Sequence, residues 1–364
     1  MDRIGLVIRN LVGGGAEKVV LHLAKMFQKR GIDVHIFLLE DHICYDVDGL
    51  TIHTLSKKRK KYKLFKSKGE KDLAKLLEKT VQKVEEDGVK FDVLLSNLPA
   101  TDRIVSRVNL KNNIYYIIHT AYSLEINEFK KRGQFLRAIR RRRLYKRLYK
   151  DENLICVSEG ICIDLGNIGI KPHSCKVIYN PFDIYMIQKE GEKSPKDLPN
   201  ENYMVHVGAY RQEKRHDILL EAYSKLINPP KLKLFCDYYE DLEKLIDKFA
   251  LEEKVEIFGF RKNPYPYIKH AKLLILSSER EGLGNVLIEA LILGTPIVST
   301  DCISGPSEIL VDELSKYLAK VNDSDELVKK IQLALDNYPC IDNSFVEKFK
   351  EGTIYNEYCT LLGG

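Results

Sequence analysis

The stretch SSEREGLGNVLIEALILGTPIVS, Ser277 to Ser299, decides how this chain is read. The run AKLLILSS that leads into it is short, apolar and closed by serines, the pattern of a strand buried on both faces of a parallel sheet. Asn285 to Leu293 carries helical spacing and is stopped by Gly294 and Pro296, after which PIVST reads as a second strand. The unit is strand, glycine turn, helix, strand. Its turn directs the backbone N–H groups of Gly284, Asn285 and Val286 outward at a helix N-terminus, an end that attracts anions and phosphate above all. Glu281 and Glu289 stand eight positions apart around that turn.

The same rhythm runs through the rest of the chain. RIGLVIRN, DVHIFLLE, FDVLLSN, IYYIIHT and LICVS alternate with helical segments, beginning with a helix across AEKVVLHLAKMFQKRG. After a polar, proline-containing stretch at Gln188–Asn202 the pattern restarts with YMVHVGAY, KLKLFCD, VEIFGF, KLLILSS and PIVST. Such alternation predicts parallel sheets with helices on both faces. The expected organisation is two doubly wound α/β domains, 1–183 and 200–345, and a closing helical segment, 346–364, that packs back on the first. Ligand sites of such sheets lie at the carboxyl ends of the strands, so two facing domains would place a cleft between them.

Composition narrows the function classes. The 364 residues are 44% hydrophobic and 30% charged, as in a soluble globular protein. No apolar run approaches the roughly 20 residues a membrane span needs, and the N-terminus reads as a strand rather than a signal peptide, so a cytoplasmic location is expected. The eight cysteines are scattered with neither a C-x-x-C pair nor a Cys/His cluster at zinc spacing, which predicts reduced and mostly buried thiols. The net charge of +6 hides an asymmetry: residues 1–180 carry 35 Lys+Arg against 21 Asp+Glu, whereas residues 181–364 carry 23 against 31. Most of the basic excess lies in two runs, Lys57–Lys68 and Lys130–Lys150.

Several strand ends carry polar or glycine residues suited to chemistry. Gly13, Gly14 and Gly15 follow the first strand, where the lack of a Cβ lets backbone approach a phosphate or sugar. The dinucleotide fingerprint G-x-G-x-x-G fails at its third glycine, where Lys18 stands, which disfavours nicotinamide or flavin binding. His119 closes the strand IYYIIHT, where its ring can exchange a hydrogen bond with a substrate hydroxyl. Gly208 follows the first strand of the second domain with Arg211, Lys214 and Arg215 close behind, cations suited to clamping a diphosphate against a helix N-terminus. Two D-x-D pairs, Asp46–Asp48 and Asp323–Asp325, are candidate metal ligands, but neither ends a convincing buried strand, so no metal and no cofactor is expected.

Together these residues resemble the retaining glycosyltransferases of family 4, with the GT-B fold, and among them the bacterial enzymes of lipopolysaccharide and lipid-linked glycan synthesis. The resemblance covers nearly the whole chain. It rests on GGGAEK after the first strand, His119, Asn180-Pro181 at the domain crossing, Lys214, and above all EGLGNVLIEALILGTPIVST. It implies two Rossmann-like domains and transfer of a sugar from a nucleotide-diphosphate donor, UDP being the commonest, to a glycan or lipid-linked acceptor. Glu281 would contact donor-sugar hydroxyls and Glu289 the nucleotide ribose. Lys214 would bind the diphosphate, with Gly208, Gly282, Leu283, Gly284, Asn285 and Val286 lining the donor site. Gly14 and Gly15 would approach the donor phosphate, and His119 would touch the sugar near its reacting carbon. One position departs from the family pattern: Ala209 stands where an arginine is usual, and Arg211 is the candidate to replace it.

The second basic run interleaves eleven cations, among them Arg137, Arg140, Arg141 and Lys146, with Phe135, Leu136, Ile139, Leu144 and Tyr145. That composition suits an anionic membrane surface, and would place the protein at the inner face of the cytoplasmic membrane with a lipid-anchored acceptor. An ordinary basic helix with a core-facing stripe is the alternative. A nucleic-acid-binding protein would use the same runs, but no binding module surrounds them and Glu281 and Glu289 would have no role, so no nucleic acid is expected. Another GT-B enzyme, a nucleotide-sugar epimerase or a phosphorylase, is the remaining rival.

Overall fold

The computed structural model describes residues 2–56 and 67–362; the basic run Lys57–Lys68 lies outside them apart from the backbone at 67 and 68. The chain divides into two compact units, Met1–Pro181 with Glu351–Gly364, and Phe182–Lys350.

Among the described residues of unit 1, seven strands form one sheet: β1 (Arg3–Ile8), β2 (Asp33–Leu38), β3 (Thr51–Thr54), β4 (Val93–Asn97), β5 (Asn113–Ile118), β6 (Asn153–Cys156) and β7 (Ser174–Val177). Their order is β3-β2-β1-β4-β5-β6-β7, with every neighbouring pair parallel. Every residue of β1 and β4 is buried, the expected state of strands covered by helices on both faces. The winding reverses between β1 and β4, and the crevice beyond the carboxyl ends of those strands is where a sheet of this kind takes its ligand. Gly13–Gly15 follow β1, Asn97 ends β4, and His119 stands one residue beyond β5.

Unit 2 repeats the plan with β8 (Tyr203–Val207), β9 (Lys231–Phe235), β10 (Val255–Ile257), β11 (Leu273–Leu276), β12 (Ile297–Thr300) and β13 (Leu318–Ala319). The order is β10-β9-β8-β11-β12-β13, again wholly parallel, with the reversal between β8 and β11. Lys214 lies in the loop after β8 and Glu281 in the loop after β11, so both flank that reversal point. The helix Asn285–Ile292 between β11 and β12 is buried from Leu287 onward, which explains its almost wholly apolar sequence.

The boundaries differ from the sequence reading at two places. The polar stretch Gln188–Asn202 begins inside the helix Ile184–Gly191, which packs in unit 2 against the helices Tyr265–Lys269 and Asn285–Ile292. Asp183 caps it by accepting a hydrogen bond from the Met186 amide at 2.9 Å. The closing helix, Glu351–Leu361, belongs to unit 1, where Tyr358 meets Phe27 edge-on at 5.4 Å and the Arg30 guanidinium lies 4.7 Å from the Tyr355 ring centre. Residues 346–350 stay in unit 2, because the Phe182 amide donates to the Phe349 carbonyl at 2.9 Å.

Candidate active site

At the reversal point of unit 2 a lysine and a glutamate converge. Lys214 Nζ lies 2.6 Å from Glu281 Oε1, and the Ser278 hydroxyl donates to the same oxygen at 2.6 Å. Both partners are largely enclosed, with side-chain exposures of 19% and 13%. Their loops are stitched together by backbone: the Ser277 hydroxyl donates to the Lys214 carbonyl and the Glu279 amide to the Glu213 carbonyl, each at 2.8 Å. The lysine stem packs beside Gly208, where a Cβ would lie in ordinary contact, 3.4 Å from Lys214 Cε. The result is a charged pair held rigidly beside the start of a helix.

That helix start is built for close approach. Gly284 takes the left-handed conformation (φ 88°, ψ 51°) and supplies no side-chain cap to the first turn of Asn285–Ile292. From the other side the loop after β12 presses in: the Ser304 hydroxyl donates to the Glu281 carbonyl at 2.7 Å, and Gly305 (φ 98°) lies so near Leu283 that a Cβ would meet its carbonyl oxygen at 2.0 Å. Leu283 itself points into the core at 2% exposure, which leaves only its backbone to meet a ligand. Glu289, about one turn into the helix, is buried and accepts a hydrogen bond from the Tyr265 hydroxyl at 3.4 Å. Burial, and then the Glu289 charge, raise the Tyr265 hydroxyl far above the usual phenol range.

Arg211 does not enter this cluster. Its guanidinium is 64% exposed and reaches Glu213 at 4.0 Å, so the structure brings Lys214 and Glu281 together without it. Arg215 is engaged elsewhere, in a two-pronged pair with Asp217 at 2.8 and 2.7 Å. The residues that shape the site but were missed in the sequence are Ser277, Ser278, Ser304, Gly305 and Tyr265. The serines closing β11 and the Gly305-Pro306 pair after β12 were visible signals; nothing local marked Tyr265.

In unit 1, His119 Nε2 lies 2.9 Å from Asn97 Oδ1. The Asn97 amide is oriented by its other end, where Nδ2 donates to the Leu95 carbonyl at 3.1 Å and the Val7 carbonyl at 3.4 Å. Asn97 Oδ1 must therefore accept, His119 Nε2 carries the proton, and Nδ1 presents a lone pair. His119 keeps some surface open, yet burial pushes its ring down to about 4, so the imidazole is neutral near pH 7. Around the glycine triplet, Gly13 is left-handed (φ 65°) and Gly15 opens the helix Gly15–Gln28. Beside Gly14 lies the carboxylate of Glu17, which a Cβ on that glycine would approach within 2.1 Å. A carboxylate at that end of a helix is electrostatically favoured.

The second basic run forms the helix Phe135–Leu148 behind the helix Tyr122–Lys131. Arg103, Arg137, Arg140, Arg141, Arg143 and Arg147 line one cavity of about 810 Å³ together with Phe129 and Leu144. Arg103 is paired with Glu70 at 2.5 Å and Arg141 with Glu125 at 2.9 Å, whereas Arg140, Arg143 and Arg147 make no ion pair among the described residues. Phe135, Leu136 and Ile139 are exposed at 62%, 72% and 48%, while Ala138, Tyr145 and Leu148 turn inward, so the helix carries both a core stripe and an outer apolar edge. Lys146 lies apart from the cavity, with its ammonium close to Gly169.

The first aspartate of each D-x-D pair accepts a local backbone hydrogen bond, and Asp325 pairs with Lys225 at 2.7 Å. Asp323 accepts from the Glu326 amide at 2.8 Å to start the helix Ser324–Asp336, and Asp46 accepts from the Asp48 amide at 3.1 Å. The cysteines need a correction: Cys156, Cys236 and Cys302 are buried, but Cys44 and Cys340 are exposed and Cys162, Cys175 and Cys359 are half-buried. Strand ends and helix edges, rather than the core, hold most of them.

Two family models tile the chain. Residues 13–185 match Glycosyltransferase Family 4, and residues 188–352 match Glycosyl transferases group 1. The chain is a glycosyltransferase of the family 4 type. The N-acetylgalactosamine-N,N'-diacetylbacillosaminyl-diphospho-undecaprenol 4-alpha-N-acetylgalactosaminyltransferase of Campylobacter jejuni is 28% identical to this glycosyltransferase over 343 residues, covering 93% of this chain and 91% of that protein. The lipopolysaccharide 1,6-galactosyltransferase of Escherichia coli is 25% identical over 181 residues, 46% of this chain and 48% of its own. Among solved structures, Anabaena HepE in complex with UDP and glucose superposes with a TM-score of 0.76 at 20% identity, covering 100% of this chain and 99% of that one. TarM does so with a TM-score of 0.74 at 16% identity, covering 100% and 99%. These likenesses identify the fold of the glycosyltransferase as GT-B.

Proposed function

We propose that this glycosyltransferase moves a sugar, with retention at the anomeric carbon, from a UDP-sugar to a glycan carried on a lipid, without a metal ion. The observation that carries the reading is the Lys214–Glu281 pair beside the helix start at Asn285. In the reaction the bond from the anomeric carbon to the β-phosphate oxygen breaks and a bond to the acceptor oxygen forms on the same face, while the acceptor proton passes to the departing diphosphate. Lys214 and the first-turn amides after Gly284 neutralise the charge that develops on that diphosphate. Glu281 orients sugar hydroxyls as Lys214 turns toward phosphate, and Glu289 takes the ribose.

Support for the acceptor class comes from unit 1. A cavity lined by arginines suits phosphate groups, and the exposed Phe135, Leu136 and Ile139 suit the apolar margin of an anionic membrane. The names of the Campylobacter and Escherichia relatives, a diphospho-undecaprenol glycan transferase and a lipopolysaccharide transferase, point the same way.

The test is a panel of UDP-, GDP- and ADP-sugars offered to the purified protein with polyprenyl-diphosphate-linked and lipopolysaccharide-core acceptors, with and without a chelator. Transfer from a UDP-sugar that survives chelation, with the anomeric configuration of the donor kept in the product by NMR, is the expected result. Conversion of the donor sugar in the absence of any acceptor would instead identify an epimerase.

A further inference from the structure

A second cluster of reactive side chains lies far along the unit 1 sheet from its reversal point. Cys156 ends β6, and Cys175 lies in β7, the edge strand. Leu154 pairs with Cys175 and Cys156 with Val177, so the two cysteines stand two residues out of step and point to the same face. The helix Glu159–Asn167, capped by the Ser158 hydroxyl accepting from the Ile161 amide, brings Cys162 onto that face. The three sulfurs all lie within 4.8 Å of one another, with Cys162 and Cys175 2.8 Å apart and Cys156 and Cys175 3.5 Å apart. Cys156 is buried, and the other two keep partial access to solvent.

Three converging thiols are the donor set of a soft cation. Thiolates prefer Zn²⁺ and Cu⁺ over harder ions, and sulfurs about 2.3 Å from one ion lie roughly 3.7–4 Å from each other. The observed triangle needs only small side-chain rotations to reach that spacing. A disulfide would use two of the sulfurs and leave the third thiol stranded against it. We propose that Cys156, Cys162 and Cys175 bind one thiophilic cation, Zn²⁺ with water as fourth ligand or Cu⁺ with the three sulfurs alone, and that this ion pins the edge strand β7 to the helix Glu159–Asn167. Binding displaces the thiol protons to solvent and leaves three thiolates on the ion. The site is independent of the donor and acceptor reading.

The experiment uses the full chain, reduced and stripped of metal under anaerobic conditions. Co²⁺, as the spectroscopic stand-in for Zn²⁺, should produce thiolate charge-transfer bands that saturate at one equivalent, and Zn²⁺ should displace it; a parallel titration with buffered Cu⁺ distinguishes the second ion. C162S and C175S should each weaken binding at least about tenfold, while C44S and C340S should leave it unchanged. The bound ion should raise the melting temperature of the wild type and not of C162S. Should the serine variants fail to fold, mass spectrometry of alkylated wild type gives the same answer: the ion should protect the accessible Cys162 and Cys175 and no other thiol. The proposal is overturned if neither ion saturates the reduced protein, if C162S and C175S bind as well as wild type, or if thiol-trapped protein from cells carries a Cys162–Cys175 disulfide and no metal.

Discussion

Lys214 and Glu281 come from loops 67 positions apart in the chain and meet at 2.6 Å, with the Ser278 hydroxyl donating to the same glutamate oxygen. The pair has a donor for anions and an acceptor for hydroxyls side by side, and each keeps the other from turning into solvent before substrate arrives. Lys214→Met should lower kcat by about 10²–10³-fold, the usual effect of losing one preorganised donor to a developing anion. Glu281→Gln should act mainly on the donor sugar, raising KM for the UDP-sugar while UDP itself binds as before. Steady-state kinetics and UDP titration separate the two, and an unchanged kcat in Lys214→Met would remove the lysine from the leaving-group clamp.

Gly305 should tolerate no side chain. Its φ of 98° and the 2.0 Å approach of a Cβ to the Leu283 carbonyl predict that Gly305→Ala loses at least about 2 kcal/mol of stability and shifts the loop bearing Glu281. Urea unfolding measures the first effect and donor KM the second. Gly352→Ala, where a Cβ meets open space, is the matched control.

Asp102 predicts an opposite dependence on pH from that of a surface carboxylate. It is fully buried, accepts from Ser96 at 2.6 Å and from the Tyr149 hydroxyl at 2.7 Å, and burial pushes it up to about 7. A folded value above the unfolded one of about 3.9 contributes stability that is complete at low pH and lost as pH rises through about 7. Tyr149→Phe removes a hydrogen bond that favours the charged form and should raise the folded value further. The variant should therefore lose more stability at pH 8 than at pH 5.5, which denaturant unfolding at the two values reports; an equal loss at both would show that Asp102 does not titrate in this range.

Arg140, Arg143 and Arg147 share one helix face and line the same cavity. Reversing all three to glutamate should abolish co-sedimentation with anionic vesicles, since each cation near such a surface contributes about 1 kcal/mol. Turnover of the UDP-sugar with a water-soluble acceptor should persist. Vesicle binding equal to wild type would turn the membrane reading into that of an ordinary basic helix.

The local chemistry of the chain was legible before folding. Alternating apolar runs and helical segments determine two parallel sheets, because a strand covered on both faces must be apolar throughout. The glycine turn before Asn285 and the two glutamates around it needed only helix geometry to be read, and Lys214 and His119 were marked by their places at strand ends. Tertiary structure alone decided who partners whom. It set Ser304 against Glu281, placed Tyr265 over Glu289, and gave His119 its tautomer through Asn97, each a contact between segments that no spacing rule connects. It also left Arg211 in solvent and gathered three cysteines separated in sequence by a strand register and a helix. Periodicity is a property of neighbours along the chain, so it specifies elements and their faces; the distance between two side chains on different elements depends on packing, which only the folded chain possesses.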